Sequence, residues 1–262
     1  MTADWLLAGL RHDRAVVLGS LTAATILAWG YLILGAGVDG EMMDMGGGQM
    51  MAMAPEWTLG YGIVFFLMWS VMMVAMMLPS AAPITLLVAG IAKRRRQQGG
   101  DPGFRTAPFV LGYLAVWILF AAAATLLQWQ LDLAEQLSET MAVASMSVAG
   151  TVLIAAGIYE WTPLKQTCLR HCRTPISFLM SQWKDSVVGA FTSGLRHGVF
   201  CLGCCWVLMA LLFVGGIMNL AWIAAIALLV LIEKTFPWGG RMGRISGVVL
   251  VVWGAVTLAM AA

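Results

Sequence analysis

Leu59-Gly-Tyr-Gly-Ile-Val-Phe-Phe-Leu-Met-Trp-Ser-Val-Met-Met-Val-Ala-Met-Met-Leu-Pro79 runs for 21 residues without a charged side chain. A helix rises about 1.5 Å per residue, so this run reaches across a hydrocarbon core of about 30 Å. The apolar character continues past Pro79 to about residue 92. A segment apolar on every face needs lipid, or protein on all sides, as its solvent.

The rest of the chain repeats that pattern. Of 262 residues, 61% are hydrophobic and 11% charged, against about 25% charged in a soluble domain. Apolar stretches predict about seven spans, at 15–35, 59–79, 107–128, 141–160, 199–218, 220–236 and 245–261. The sixth lies at the lower limit of length. The first exceeds the roughly 7–15 apolar residues of a secretory signal and reads as a retained helix. The expected fold is an all-α polytopic transmembrane bundle, a single membrane domain over 1–262. A formal charge of +2 gives no basis for nucleic-acid binding.

Lys and Arg set the expected orientation. Arg11 and Arg14, the run Lys93–Arg96 with Arg105, the group from Lys165 to Arg196, and Arg241 with Arg244 fall on one side of seven spans. The opposite loops hold Asp39, Glu41, Asp44, Glu56, Asp132, Glu135 and Glu139, with no Lys or Arg. This places the N-terminus in the cytoplasm and the C-terminus outside, in a bacterial inner membrane. It leaves a Met-rich outer loop at 40–56 and a cytoplasmic loop at 161–198, in which 176–183 reads as a short interfacial helix.

Sulfur is the chemistry this sequence offers. The outer loop carries Met42, Met43, Met45, Met50, Met51 and Met53 around three consecutive glycines, a low-complexity stretch that reads as flexible. A thioether is a soft ligand that needs no deprotonation and forms no disulfide, so it suits Cu(I) in an oxidising compartment. The bland alternative is a loop dipping adaptable apolar side chains into the interface. Further along, Met68, Met72 and Met76 share one helical line, with Met73 and Met77 beside it. Pro79 is expected to free a carbonyl and kink that helix. Ordinary packing would also explain these methionines.

The cysteines all lie within 168–205, and five of them exclude a fully paired disulfide framework. Cys168, His171 and Cys172 bring two sulfurs and an imidazole within a turn, a soft-metal spacing, and Arg170 and Arg173 are expected to lower the thiol pKa values. His197, Cys201, Cys204 and Cys205 open the fifth span, and Gly203 leaves room for a neighbouring helix. A single buried cysteine is usually a small hydrophobe, and a C-x-x-C pair alone could equally be redox-active. Glu160, Glu233 and Lys234 lie at span ends and read as snorkelling or interfacial charges, with a proton relay as the lesser alternative. Asn219 is expected in the tight outer turn between spans five and six. No phosphate-binding loop, Ser/His/Asp arrangement or cofactor fingerprint is present, so no enzymatic activity is expected.

The blocks Met72-Met-Val-Ala-Met-Met-Leu-Pro-Ser80, Thr162-Pro-Leu-Lys165 with Cys168-Leu-Arg-His-Cys172-Arg-Thr-Pro175, and Cys201-Leu-Gly-Cys-Cys-Trp206 with Gly216-Ile-Met-Asn219 and Glu233-Lys234 resemble a bacterial family of predicted metal-binding integral membrane proteins. Its members are similar to membrane copper chaperones associated with polyphenol oxidases. The likeness runs from about residue 57 to the C-terminus, so the Met-rich loop lies outside it. It implies copper supply to an extracytoplasmic cuproenzyme, with Met72, Met73, Met76, Met77, Cys168, Cys172, Cys201, Cys204 and Cys205 as the metal-related residues.

The leading expectation is therefore a Cu(I) chaperone or facilitator in the lipid bilayer, with thioethers on the oxidising side and thiols on the reducing side. The alternatives are an assembly subunit of a larger membrane complex, or a thiol–disulfide oxidoreductase built on Cys201 and Cys204. Homo-oligomers are left open.

Overall fold

The computed structural model describes residues 3–35, 42–44, 50–52, 57–97, 106–137, 141–174 and 186–261. Long apolar helices dominate: α1 (Ala3–Ile33), α2 (Leu59–Gln97), α3 (Thr106–Leu133), α4 (Met146–Tyr159), α5 (Pro163–Arg173), α6 (Val187–Ala210), a single turn α7 (Leu212–Gly215), α8 (Leu220–Thr235) and α9 (Gly239–Ala261). The expectation of an all-α chain misses one feature, a short antiparallel pair between β1 (Met42–Asp44) and β2 (Met50–Ala52). Met43 sits opposite Met51 there, so part of the Met-rich stretch has a backbone ladder.

Among the described residues, five helical stretches are long and apolar enough to cross a membrane: Ala15–Ile33, Leu59–Ala92, Thr106–Leu133, Val187–Gly215 and Gly239–Ala261. The fourth and sixth expected spans correspond to α4, of 14 residues, and α8, of 16. At about 1.5 Å per residue these rise only about 21 and 24 Å. Large apolar side chains cover the outside of the bundle, among them Leu27, Leu59, Leu119, Val188 and Val252. Such a surface is suited to lipid rather than water.

Small residues set how closely the helices approach. A Cβ on Gly112 would lie 2.1 Å from the Phe191 carbonyl oxygen, and one on Gly194 would lie 2.0 Å from that of Phe109. These contacts lock α3 against α6 on both sides. The α4–α9 pair uses the same device, with Gly150 and Gly157 against the backbones of Gly254 and Gly247. Close approach through glycine is how helices associate where no hydrophobic gain separates protein from lipid.

α2 runs as one helix through both Pro79 and Pro83, so the span does not end at Pro79. Side chains gather at the carbonyls nearby: Ser80 Oγ donates to Met77 O at 2.8 Å and Tyr113 Oη to the same oxygen at 3.1 Å. Toward the other end of α2, Trp69 Nε1 donates to Gln128 Oε1 at 2.7 Å, and Gln128 Nε2 donates to Met141 Sδ at 3.3 Å.

Within 161–198, the described residues hold α5 and the first half of α6. Thr162 caps α5 by accepting from Lys165 N at 3.3 Å, with Pro163 in the first turn, where its missing N–H has no consequence. Ser186 caps α6 by accepting from Gly189 N at 2.9 Å, and the helix starts at Val187, twelve residues before the expected start of the fifth span. Asn219 stands where a turn was expected, as the cap of α8, accepting from Trp222 N at 3.2 Å. The expected interfacial helix at 176–183 lies outside the described residues.

Candidate metal centre

Met68, Met72, Met73, Met76 and Met77 are all buried, none more than 2% exposed. Both methionine lines of α2 therefore point into protein, because α2 packs against α1, α3 and α8. Cys201, Cys204 and Cys205 on α6 are each 1% exposed. Spacings of three and four residues turn them toward the same interior. Cys204 and Cys205 donate to the Cys201 carbonyl at 3.1 and 3.0 Å.

Met77 and these thiols meet. Cys205 Sγ lies 4.0 Å from Met77 Sδ. Between them stands a residue the sequence reading set aside, Lys234 of α8. Its Nζ donates to Cys201 Sγ at 2.9 Å, to Cys205 Sγ at 3.5 Å and to Met77 Sδ at 3.7 Å. Tyr113 Oη lies 3.1 Å from Cys201 Sγ and closes the group from α3. Four helices thus converge on one ammonium surrounded by soft atoms.

α5 completes the sulfur cluster from one side. The Cys172 thiol is hydrogen-bonded to Cys201 and Cys204, and those bonds, with burial, push its pKa well above the usual thiol range. Burial likewise pushes the Cys168 thiol up. The expected lowering by Arg170 and Arg173 is therefore wrong: Arg173 turns away and donates to the carbonyls of Phe236 and Pro237. Cys168 Sγ packs where a Cβ on Gly203 would lie 2.8 Å from it, so Gly203 does make room for a neighbour.

The histidines are placed less closely. The His171 ring stacks on Phe200 at a centroid separation of 4.2 Å, and its Nδ1 is 2.9 Å from Thr167 O, so it is held against α6 rather than among the thiols. His197 is buried one turn before Cys201, between the rings of Phe109 and Tyr113. Among the described residues, no three His, Cys, Asp or Glu side chains form a ready ion-binding group. The convergence at Met77, Cys201 and Cys205 depends on a thioether and has a lysine at its focus. Met42, Met43, Met50 and Met51 lie in the β pair, and Met45 and Met53 lie outside the described residues.

Beside the sulfurs is a charged cluster that corrects the reading of Glu160, Glu233 and Lys234 as interfacial. Glu160 is 1% exposed, Glu233 2% and Lys234 7%, and Lys165, one of the positive charges that set the expected orientation, is fully buried. Lys165 Nζ is paired with Glu160 Oε2 and lies 2.7 Å from Glu233 Oε2. Burial works against the Lys165 charge, but the Glu233 and Glu160 carboxylates hold its pKa above the ordinary lysine range. Gly243 leaves the carboxylates their space, since a Cβ there would lie 2.9 Å from Glu160 Oε2. The available signal was ionisable residues inside apolar helices, which rarely persist without a partner or a role.

A bundle of apolar helices around a buried nest of thiols, thioether and lysine defines a helical protein with a soft-ligand centre. The chain matches the family described as "PpoB2: Copper chaperone" over residues 66–257 and belongs to that family. The match takes in the α2 methionines and all five cysteines. No curated protein and no solved structure matches the chain.

Proposed function

We propose that this chain is a membrane chaperone for Cu(I), holding the ion as cargo on Met77 Sδ, Cys201 Sγ and Cys205 Sγ and delivering it to an extracytoplasmic cuproenzyme of the polyphenol-oxidase kind. The observation that carries this reading is the three sulfurs converging on the Lys234 ammonium, a position that already accommodates a monovalent cation. Thiolate and thioether are soft donors, and Cu(I) is the abundant soft monovalent ion.

Cys204 and Cys172 lie beside this trio and serve as onward ligands. Met68, Met72, Met73 and Met76 form a thioether route along α2, and the Met42–Met53 segment captures the ion at the outer face. The bundle is a single membrane domain whose N-terminus is cytoplasmic and whose C-terminus is outside. α4 and α8 complete the seven passages, their shortness met by local thinning of the bilayer. The copper-chaperone family supports this reading over that of a redox enzyme.

The test is an anaerobic titration of the purified full-length protein with Cu(I) against a chromophoric chelator. Wild type takes up Cu(I), and a Cys201→Ser/Cys205→Ser variant loses that uptake while keeping its helical content. Equal uptake by both proteins overturns the assignment.

A further inference from the structure

We propose that Lys234 is a built-in counter-cation with two positions: among the sulfurs when the site holds no metal, and on the Glu160 and Glu233 carboxylates when Cu(I) is bound. This rests on the sulfur site proposed above and adds how that site is emptied and filled.

Two observations meet here. The Lys234 ammonium stands at the focus of Cys201, Cys205 and Met77, so metal and lysine cannot share that position. Next to it, Glu160 Oε1 and Glu233 Oε1 are buried and have no hydrogen-bond partner among the described residues. A buried carboxylate oxygen without a donor is costly and calls for an explanation. Lys165 satisfies the other oxygen of each carboxylate and leaves these two vacant.

The geometry makes the exchange local. Lys234 directly follows Glu233 in α8, and a lysine's flexible four-carbon stem lets its ammonium change position by rotamer changes. In the metal-free position the ammonium is a charged donor to sulfurs that would otherwise lie in an apolar interior. When Cu(I) arrives, one monovalent cation replaces another at the sulfurs. The displaced ammonium then supplies the hydrogen bonds that the two vacant oxygens lack. In the metal-free state Lys165 alone faces two carboxylates; the arriving ammonium adds a second cation there, while Cu(I) takes its place at the sulfurs.

Exchange predicts that copper affinity is set against an internal competitor. The purified full-length protein is titrated anaerobically with Cu(I) against bathocuproine disulfonate. Lys234→Gln and Lys234→Met remove the competitor and bind Cu(I) about tenfold tighter than wild type. Glu160→Gln/Glu233→Gln removes the second position and weakens binding about tenfold, an effect that vanishes in the Lys234→Gln background because the residues act as one unit. The same carboxylate changes are also made with Lys165→Met, which spares the fold an unpaired lysine, and give the same dependence on Lys234. Unchanged or weaker binding by both Lys234 variants, or a carboxylate effect that persists without Lys234, overturns the exchange. Wild-type affinity in Cys201→Ser/Cys205→Ser instead overturns the sulfur site itself, so the two failures are told apart.

Discussion

Lys234 Nζ lies 2.9 Å from Cys201 Sγ, an ammonium–sulfur contact made in the interior by two residues 33 positions apart. A buried thiol beside a lysine is a different group from a buried thiol among hydrocarbons. The ammonium donates to the sulfur, and the sulfur gives the lysine a partner away from water.

Met77 is the only thioether of the trio around Lys234. Met77→Leu keeps volume and apolarity, so its effect on stability stays below about 1.5 kcal/mol. Loss of a soft donor lowers Cu(I) affinity on the order of tenfold. Met209, equally buried on α6 but outside this group, serves as the control. Met209→Leu leaves the chelator-competition curve where wild type has it.

Lys165 holds two buried carboxylates together. Lys165→Met leaves both without their cation and destabilises the protein by about 3–5 kcal/mol, as breaking a buried pair does. Adding Glu160→Gln and Glu233→Gln neutralises the orphaned charges and recovers most of that loss. Denaturant unfolding followed by helical circular dichroism measures both steps.

A good share of this architecture was legible along the chain. Apolar runs located every long helix, because a segment without charge over a bilayer's width has few other fates. The errors occurred where glycine and polar residues dilute an apolar run that is nonetheless buried. Gly189, Gly194, Arg196 and His197 lower the hydropathy of the first half of α6, yet Gly194 allows its close approach to α3. The Cys and Met clusters could be read as candidates because soft atoms concentrate in few places. Lys234 and Lys165 could not be placed, since their partners come from α2 and α6 for the one and from the end of α4 and α8 for the other, and no spacing along one helix reveals a partner on another.

Gly194 is packed so closely that Gly194→Ala would put a Cβ 2.0 Å from the Phe109 carbonyl oxygen. Alanine has the better helix propensity by about 1 kcal/mol, but the clash with backbone dominates. The variant is destabilised by about 1–3 kcal/mol, and α3 shifts away from α6. That shift separates Tyr113 from Cys201, so Cu(I) affinity falls together with melting temperature. A variant with raised melting temperature would show that the helices have slack here.

Cys168 and Cys172 have pKa values raised above the ordinary thiol range, by burial for Cys168 and first by hydrogen bonds to Cys201 and Cys204 for Cys172. A raised pKa means a smaller thiolate fraction at neutral pH, and alkylation requires thiolate. Maleimide labelling of both in the folded protein is therefore slower than that of a free thiol at pH 7. Its rate climbs with pH without levelling off near pH 8–9, where a free thiol with a pKa of about 8.5 begins to do so. A plateau near neutrality would contradict the assigned environment.

Glu233 and Lys234 are neighbours on α8, yet they serve different centres, one the carboxylate–lysine cluster with α4 and α5, the other the sulfurs of α2 and α6. Successive residues of a helix point about 100° apart, so α8 stands like an axle between the two. A rigid twist of α8 cannot move one arm without moving the other. Any partner that grips this helix from outside the bundle therefore acts on sulfur and charge in a single stroke.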